Sequence, residues 1–174
     1  AELVPDQIDW DIVTGVSVGA LNAAAVALFE KGDEVAMARF LNETWWNISS
    51  GDIFELHWFP LYHLFYGTSL LDSAPLRKTL TDIVGSVGGG LKRNLTVGTT
   101  NFDTATFTNF DQTIGIDDMI EAVMCSSAIP AAFPYQDWRN TTFVDGGIVV
   151  NLDVSSAIQS CMDVVDDQSD ITID

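Results

Sequence analysis

The stretch Thr14 to Asn22, TGVSVGALN, constrains this chain more than any other. Before it, Ile8, Trp10 and Ile12 alternate with Asp9 and Asp11 and run into Val13, the period-two pattern of a strand that ends at Gly15. After it, Val18, Leu21, Ala25, Leu28 and Phe29 fall at helical spacing, with Lys31-Gly32 as the stop. A serine thus stands at a strand-to-helix junction between two glycines, the Gly-x-Ser-x-Gly pattern of a nucleophile elbow. So sharp a turn strains the serine backbone and leaves no room for flanking side chains, which predicts a steric need for Gly15 and Gly19. The turn lifts the Ser17 hydroxyl above the sheet edge, where the helix aims its free N–H groups and the positive end of its dipole. The Val18 amide becomes a natural oxyanion donor there. The bland alternative is a glycine-flanked turn that happens to contain a hydroxyl.

The remaining pattern alternates between helix and strand. A second helix is expected from about Asp33 to Trp46, and Ile53 to Tyr66 is dense in aromatic residues and broken by Pro60. Ser73 is expected to cap a helix with Pro75 in its first turn and Leu76, Leu80 and Ile83 on one face. Gly85 to Gly90 reads as a glycine-rich turn, followed by β segments Asn94 to Thr100 and Thr104 to Phe110 joined through Asn101-Phe102-Asp103. A helix over Asp117 to Cys125 has Ile116, Ile120, Val123 and Met124 inward. Thr141 to Val144 is a short strand entering Asp145-Gly146-Gly147, and Val154, Ala157, Ile158, Cys161, Met162 and Val165 mark a last helix. This succession predicts an α/β layered domain. With 174 residues, one domain is expected. The chain begins at Ala1 and stops on a strand-like Ile171-Thr172-Ile173, so it is expected to be a piece cut at both ends.

Composition removes several functional classes. Seven basic against 25 acidic residues, spread along the chain, give a net charge of −18, which repels nucleic acid. Contact with lipid must then come from local apolar groups, since the global charge opposes anionic headgroups. No apolar run approaches the roughly 18 residues of a membrane span. Cys125 and Cys161 form neither a metal pattern nor a disulfide framework and are expected to be buried thiols. No metal cluster and no nucleotide cradle appears, so no cofactor is expected. Sequons beginning at Asn42, Asn47, Asn94 and Asn140 would permit a secretory route.

A serine hydroxyl needs a base. The only histidines, His57 and His63, sit inside the aromatic segment among Trp58, Phe59, Leu61 and Tyr62, where a packed or surface ring is the simpler reading. Asp145 is the better candidate, because it ends an apolar strand and precedes two glycines that let the backbone turn and expose its side chain in a cleft. Asp-Gly is also ordinary turn chemistry, so the pairing with the elbow is what raises it.

In order, GVSVGALN, TSLLDSAPLRKTL, CSSAIPAAFP and VDGGIVVNL resemble the patatin-like phospholipase family over nearly the whole chain. The resemblance implies a three-layer α/β/α sandwich around a central, mostly parallel sheet, and one catalytic domain over residues 1–174. It also implies a Ser–Asp dyad in which Ser17 is the nucleophile and Asp145 the base, with Gly146 and Gly147 forming the motif turn. The implied activity is hydrolysis of lipid carboxylic esters through an acyl-enzyme, on a lipid substrate at a membrane or micelle surface. Ile53 to Tyr66 could serve as lid or acyl-chain groove, and core packing explains it equally.

One departure stands out. The family carries a Gly-Gly-Gly-x-Arg/Lys-Gly oxyanion loop ahead of the elbow, and Ala1 to Thr14 contain none. Gly88-Gly89-Gly90-Leu91-Lys92 is similar but lies on the wrong side of Ser17 and reads as a surface turn. Two alternatives stay open: an α/β-hydrolase esterase whose histidine lies beyond Asp174, and a catalytically inert patatin-like binding or storage domain.

Overall fold

The computed structural model describes residues 9–56 and 69–174. Within them β1 (Ile12–Val16) leads through Ser17 into α1 (Val18–Ala27), followed by α2 (Glu34–Asn47), the single turn α3 (Ser50–Ile53) and β2 (Glu55–Leu56). Next come β3 (Leu71–Asp72), α4 (Ala74–Val87), β4 (Asn94–Asn101) and β5 (Thr106–Asp111). The described elements close with α5 (Ile116–Ser126), β6 (Gln136–Trp138), β7 (Thr141–Asp145), a 3-10 turn over Gly146–Ile148, and α6 (Val154–Met162).

The long strand β4 organises the sheet. Antiparallel β5 pairs with it from Thr96 to Asn101 and so takes one edge. The other edge is shared: parallel β1 covers its first part, from Ile12 opposite Asn94 to Val16 opposite Gly98. Antiparallel β7 covers the rest, with Asp145 opposite Thr99 and Phe143 opposite Asn101. β6 then pairs with β7, and β2 with β3 forms a separate two-stranded ribbon. The sheet is therefore mixed, with β1–β4 as its parallel pairing among the described residues.

Helices lie on both faces. Side chains alternate along β4. On one face Leu95 and Val97 join Ala20, Ala23 and Ala27 of α1, Leu76 and Leu80 of α4, and Met119, Ala122 and Val123 of α5 in a single core cluster. On the other face the Thr96 hydroxyl lies 3.5 Å from Ser160 of α6. The alanines bring α1 close against the sheet, and a fully buried side chain such as Leu95 is worth about 1.5–3 kcal/mol. This is the layered α/β arrangement expected of the chain, but the sheet is mixed rather than mostly parallel: among the described residues β5, β6 and β7 all pair antiparallel, because β5 follows β4, and β7 follows β6, through short hairpin connections.

Local differences have identifiable causes. The first strand starts at Ile12, so Trp10 precedes it, while Ile8 lies outside the described residues. α1 buries Ala20, Ala23, Val26 and Ala27, whereas Val18 and Leu21, from the set at helical spacing, are exposed and half-buried. The helix is apolar nearly all round, which hides its inner face from a periodicity reading. α4 runs through Gly85 to Val87, so the turn is confined to Gly88, Gly89 and Gly90, all at positive φ. Ser73 makes no side-chain cap; Asp72 takes that role, its Oδ1 accepting from Ala74 N at 2.8 Å. In α5 the buried set includes Met119 and Ala122, while Ile116 and Ile120 are half-buried. α6 ends at Met162 and buries no residue fully, and Cys161 is half-buried rather than buried.

A buried cation ties the start of the fold together. Arg93 donates from Nε to Phe29 O (2.9 Å), from Nη1 to Trp10 O (2.7 Å), and from Nη2 to both Glu30 O and Glu34 Oε1 (2.9 Å each). Its side chain is 1% exposed, and that of Glu34 6%. Burial pushes the Glu34 carboxyl up, but the Arg93 bond and the backbone N–H groups around it outweigh that and hold it below its ordinary range. The guanidinium thereby fixes the exit of α1 relative to the entry of β1 and β4.

Candidate active site

Ser17 occupies a backbone conformation that L-residues avoid, φ 57° and ψ −129°. Such a conformation costs about 1–3 kcal/mol and persists only where surrounding contacts hold it. The steric reason for Gly15 is direct: a Cβ there would stand 2.4 Å from Gly19 O. Gly19 differs from expectation, since a Cβ on it would meet nothing within 4 Å. The turn closes on the backbone of residue 19, so the constraint falls on Gly15 alone.

Ser17 is also the N-cap of α1, yet its hydroxyl makes no cap hydrogen bond. It donates instead to Asp145 Oδ2 at 2.5 Å, across 128 positions of sequence. Asp145 is 5% exposed, so it is buried rather than open in a cleft as the sequence predicts. Its other oxygen, Oδ1, accepts from Gly147 N at 2.7 Å, an Asx-type turn that aims Oδ2 at the serine. Asp145 N donates to Ala128 O at 2.9 Å, which anchors the carboxylate from behind. Gly146 is required by close approach, because a Cβ would lie 2.4 Å from Gly98 O and 2.9 Å from Val16 Cγ1. At Gly147 a Cβ would stand 3.0 Å from Asp145 Oδ1 and 3.1 Å from Asn151 Oδ1.

Val18 opens α1, so its N–H belongs to the first turn, whose amides have no acceptor within the helix. The N-terminus carrying them sits directly beside the Ser17–Asp145 pair, where it favours developing negative charge. The arrangement combines a hydroxyl, a carboxylate in contact with it, and helix amides adjacent to both, the parts that acyl transfer requires.

Sequence reasoning missed Ser126. This residue is completely buried at the end of α5; its Oγ accepts from Ser17 N at 2.8 Å and donates to Gly98 O at 2.7 Å. The available signal was a pair of hydroxyls, Ser126-Ser127, inside the apolar run Ala122 to Ala128, since buried polar groups need partners. The neighbouring Ser127 Oγ is buried without a hydrogen-bond partner among the described residues.

The other candidates separate from this cluster. Gly88 to Gly90 form a turn at the end of α4, as expected. His57 and His63 lie outside the described residues, as does most of the Ile53 to Tyr66 segment. Phe133, from the segment after α5, packs edge-on against Phe54 at 6.3 Å between centroids. An apolar cavity among α1, α2, α4 and α5 is lined by Leu21, Ala25, Leu41, Leu76 and Met119; neither Ser17 nor Asp145 borders it. It follows from packing between helices rather than from the chemistry at the elbow. Among the described residues, no helix is long and apolar enough to cross a membrane.

Compared with known proteins, residues 2–158 match the family model described as patatin-like phospholipase. No curated protein matches the chain.

Proposed function

This chain belongs to the patatin-like phospholipase family, whose members are generally hydrolases acting on lipid esters, and from that premise we propose that it cleaves carboxylic esters of phospholipids or acylglycerols through a Ser17–Asp145 dyad. The observation that carries the reading is the 2.5 Å hydrogen bond from Ser17 Oγ to Asp145 Oδ2.

In the first half-reaction Asp145 Oδ2 takes the hydroxyl proton as Ser17 Oγ bonds to the ester carbonyl carbon. The carbonyl electron pair moves onto oxygen, beside Val18 N–H and the α1 N-terminus. Collapse breaks the bond to the leaving alkoxide, which receives the proton from Asp145 and departs as an alcohol, leaving an acyl-serine. In the second half-reaction water gives a proton to Asp145 and its oxygen attacks the acyl carbon. The second tetrahedral species expels Ser17 Oγ, which recovers the proton, and the fatty acid leaves. A carboxylate is a weak base for a serine hydroxyl, so stabilisation of the oxyanion has to supply much of the rate; one such donor is worth about 3–4 kcal/mol.

Direct contact between hydroxyl and carboxylate favours this dyad over a triad, in which an imidazole would stand between the two groups. The test is labelling with a fluorophosphonate together with hydrolysis of a short-chain nitrophenyl ester. The expected result is labelling at Ser17 and turnover, both lost in Ser17→Ala. Labelling that persists undiminished in Ser17→Ala would overturn the assignment, and absence of labelling in the parent protein would favour the inert alternative.

A further inference from the structure

Ser17 holds a strained backbone, and the contacts that hold it are therefore part of whatever Ser17 does. On its own side of the turn the restraint is local, Ala20 N of the first turn of α1 donating to Ser17 O at 2.9 Å. On the far side the restraint comes from Ser126, a residue 109 positions away. We propose that Ser126 is a positioning residue for the nucleophile: its hydroxyl clamps the Ser17 amide to the β4 backbone at Gly98 and so sets the direction of the Ser17 side chain. This inference rests on the dyad reading above.

Three observations support it. First, the hydroxyl has its polarity fixed by its partners, because Gly98 O can only accept and Ser17 N can only donate; Ser126 Oγ does one of each. Second, Gly98 is the residue opposite Val16, the last position of β1 before the turn, so the clamp joins the nucleophile to the point on β4 where its strand ends. Third, the other half of the dyad is seated on the same peptide region. Asp145 pairs with Thr99, the next residue along β4, and Gly146 is packed against Gly98 O. One peptide neighbourhood thus references both the hydroxyl and the carboxylate, and Ser126 is the side chain that connects Ser17 to it. The group acts through Ser17 and does not itself touch the reacting atoms.

A purely structural role and a positioning role differ in what they change. Loss of stability lowers the fraction of molecules that react, whereas loss of positioning lowers the rate at which each one reacts. The experiment is fluorophosphonate labelling of the whole chain, followed to completion, with the end-point stoichiometry and the rate constant measured separately, alongside kcat and KM on a nitrophenyl ester. In Ser126→Ala the expected result is near-complete labelling at the end point with a rate constant reduced about 10-fold or more, and a reduced kcat at nearly unchanged KM. Ser126→Thr, which keeps the hydroxyl, is expected to recover a large part of the rate. A Ser126→Ala protein that labels at the parent rate overturns the proposal, as does a folded Ser126→Thr no faster than Ser126→Ala. If Ser126→Ala does not fold, Ser126→Cys replaces it, with the same two readouts and an intermediate loss expected. A parent protein that does not label at Ser17 defeats the dyad reading instead, which separates the two failures.

Discussion

Val16 and Asp145 occupy successive positions along one edge of β4, Val16 opposite Gly98 and Asp145 opposite Thr99. β1 arrives parallel to β4 and β7 antiparallel, so the two strands meet head to head with their C-terminal ends together. Each then turns out of the sheet at that point, β1 into α1 through Ser17 and β7 into its 3-10 turn through Gly146. The hydroxyl and the carboxylate are neighbours because two strand ends share an edge, and the 2.5 Å contact follows from that register.

Replacing the carboxylate by its isosteric amide tests the dyad. Asp145→Asn keeps the side-chain oxygen that accepts from Gly147 N and removes the base that faces Ser17 Oγ. Ester hydrolysis is expected to fall by about 10²–10⁴-fold, with the circular dichroism spectrum and thermal midpoint close to the parent values. Near-normal turnover in a folded Asp145→Asn protein would remove Asp145 from the mechanism.

The two glycines of the elbow are predicted to behave oppositely. A methyl at Gly15 collides with the backbone of Gly19, so Gly15→Ala is expected to lose more than about 2 kcal/mol in denaturant unfolding. A methyl at Gly19 enters open space inside α1, so Gly19→Ala is expected to be neutral or to gain about 0.5–1 kcal/mol. Equal destabilisation of both would contradict this geometry.

The buried ion pair makes stability depend on acid. Glu34 is held below its ordinary value of 4.5 by Arg93, so its contribution is complete above that value and fades as pH falls through the lower, folded-state value. In Glu34→Gln the unfolding free energy is expected to drop by about 3–5 kcal/mol near neutral pH, because Arg93 is left buried without its counter-charge. The same variant should show a flatter stability profile than the parent below pH 4.5. Urea midpoints measured across this range check both.

The two thiols should react at very different rates. Burial, helped by the nearby Glu121 charge, pushes the Cys125 thiol up to about 12, while Cys161 is half-buried on α6. Under native conditions a disulfide reagent is expected to modify one thiol per chain quickly, lost in Cys161→Ser, and to reach Cys125 only on unfolding. Prompt reaction of two thiols in the native protein would show that α5 opens readily.

Much of the fold was legible because its signals are local. Gly-x-Ser-x-Gly between an alternating run and a helical run, and Asp-Gly-Gly after a short strand, are patterns a few residues long, and both landed where the pattern placed them. Signals failed where the environment was two-sided or the partner distant. α1 is apolar on nearly every face, so its inward set could not be read from periodicity, and Gly85 sits inside α4 because a helix tolerates an isolated glycine. Arg93 carried no local signal of its role, and the hydroxyl pair Ser126-Ser127 in an apolar run signalled only that buried polar groups need partners, without saying which ones.

The amino-acid sequence alone determined the kinds of groups present and the local geometry of each: a serine on a hinge that only Gly15 permits, and an aspartate at the end of a strand where Gly146 lets the chain pass close. Tertiary structure decided that these groups meet, that Asp145 is buried rather than open, and that Ser126 holds the Ser17 amide. The reason is range. Turn sterics act over four or five residues, but which strand ends share the edge of β4 is set by packing between segments more than a hundred residues apart, through a core that forms only when the whole sheet is assembled.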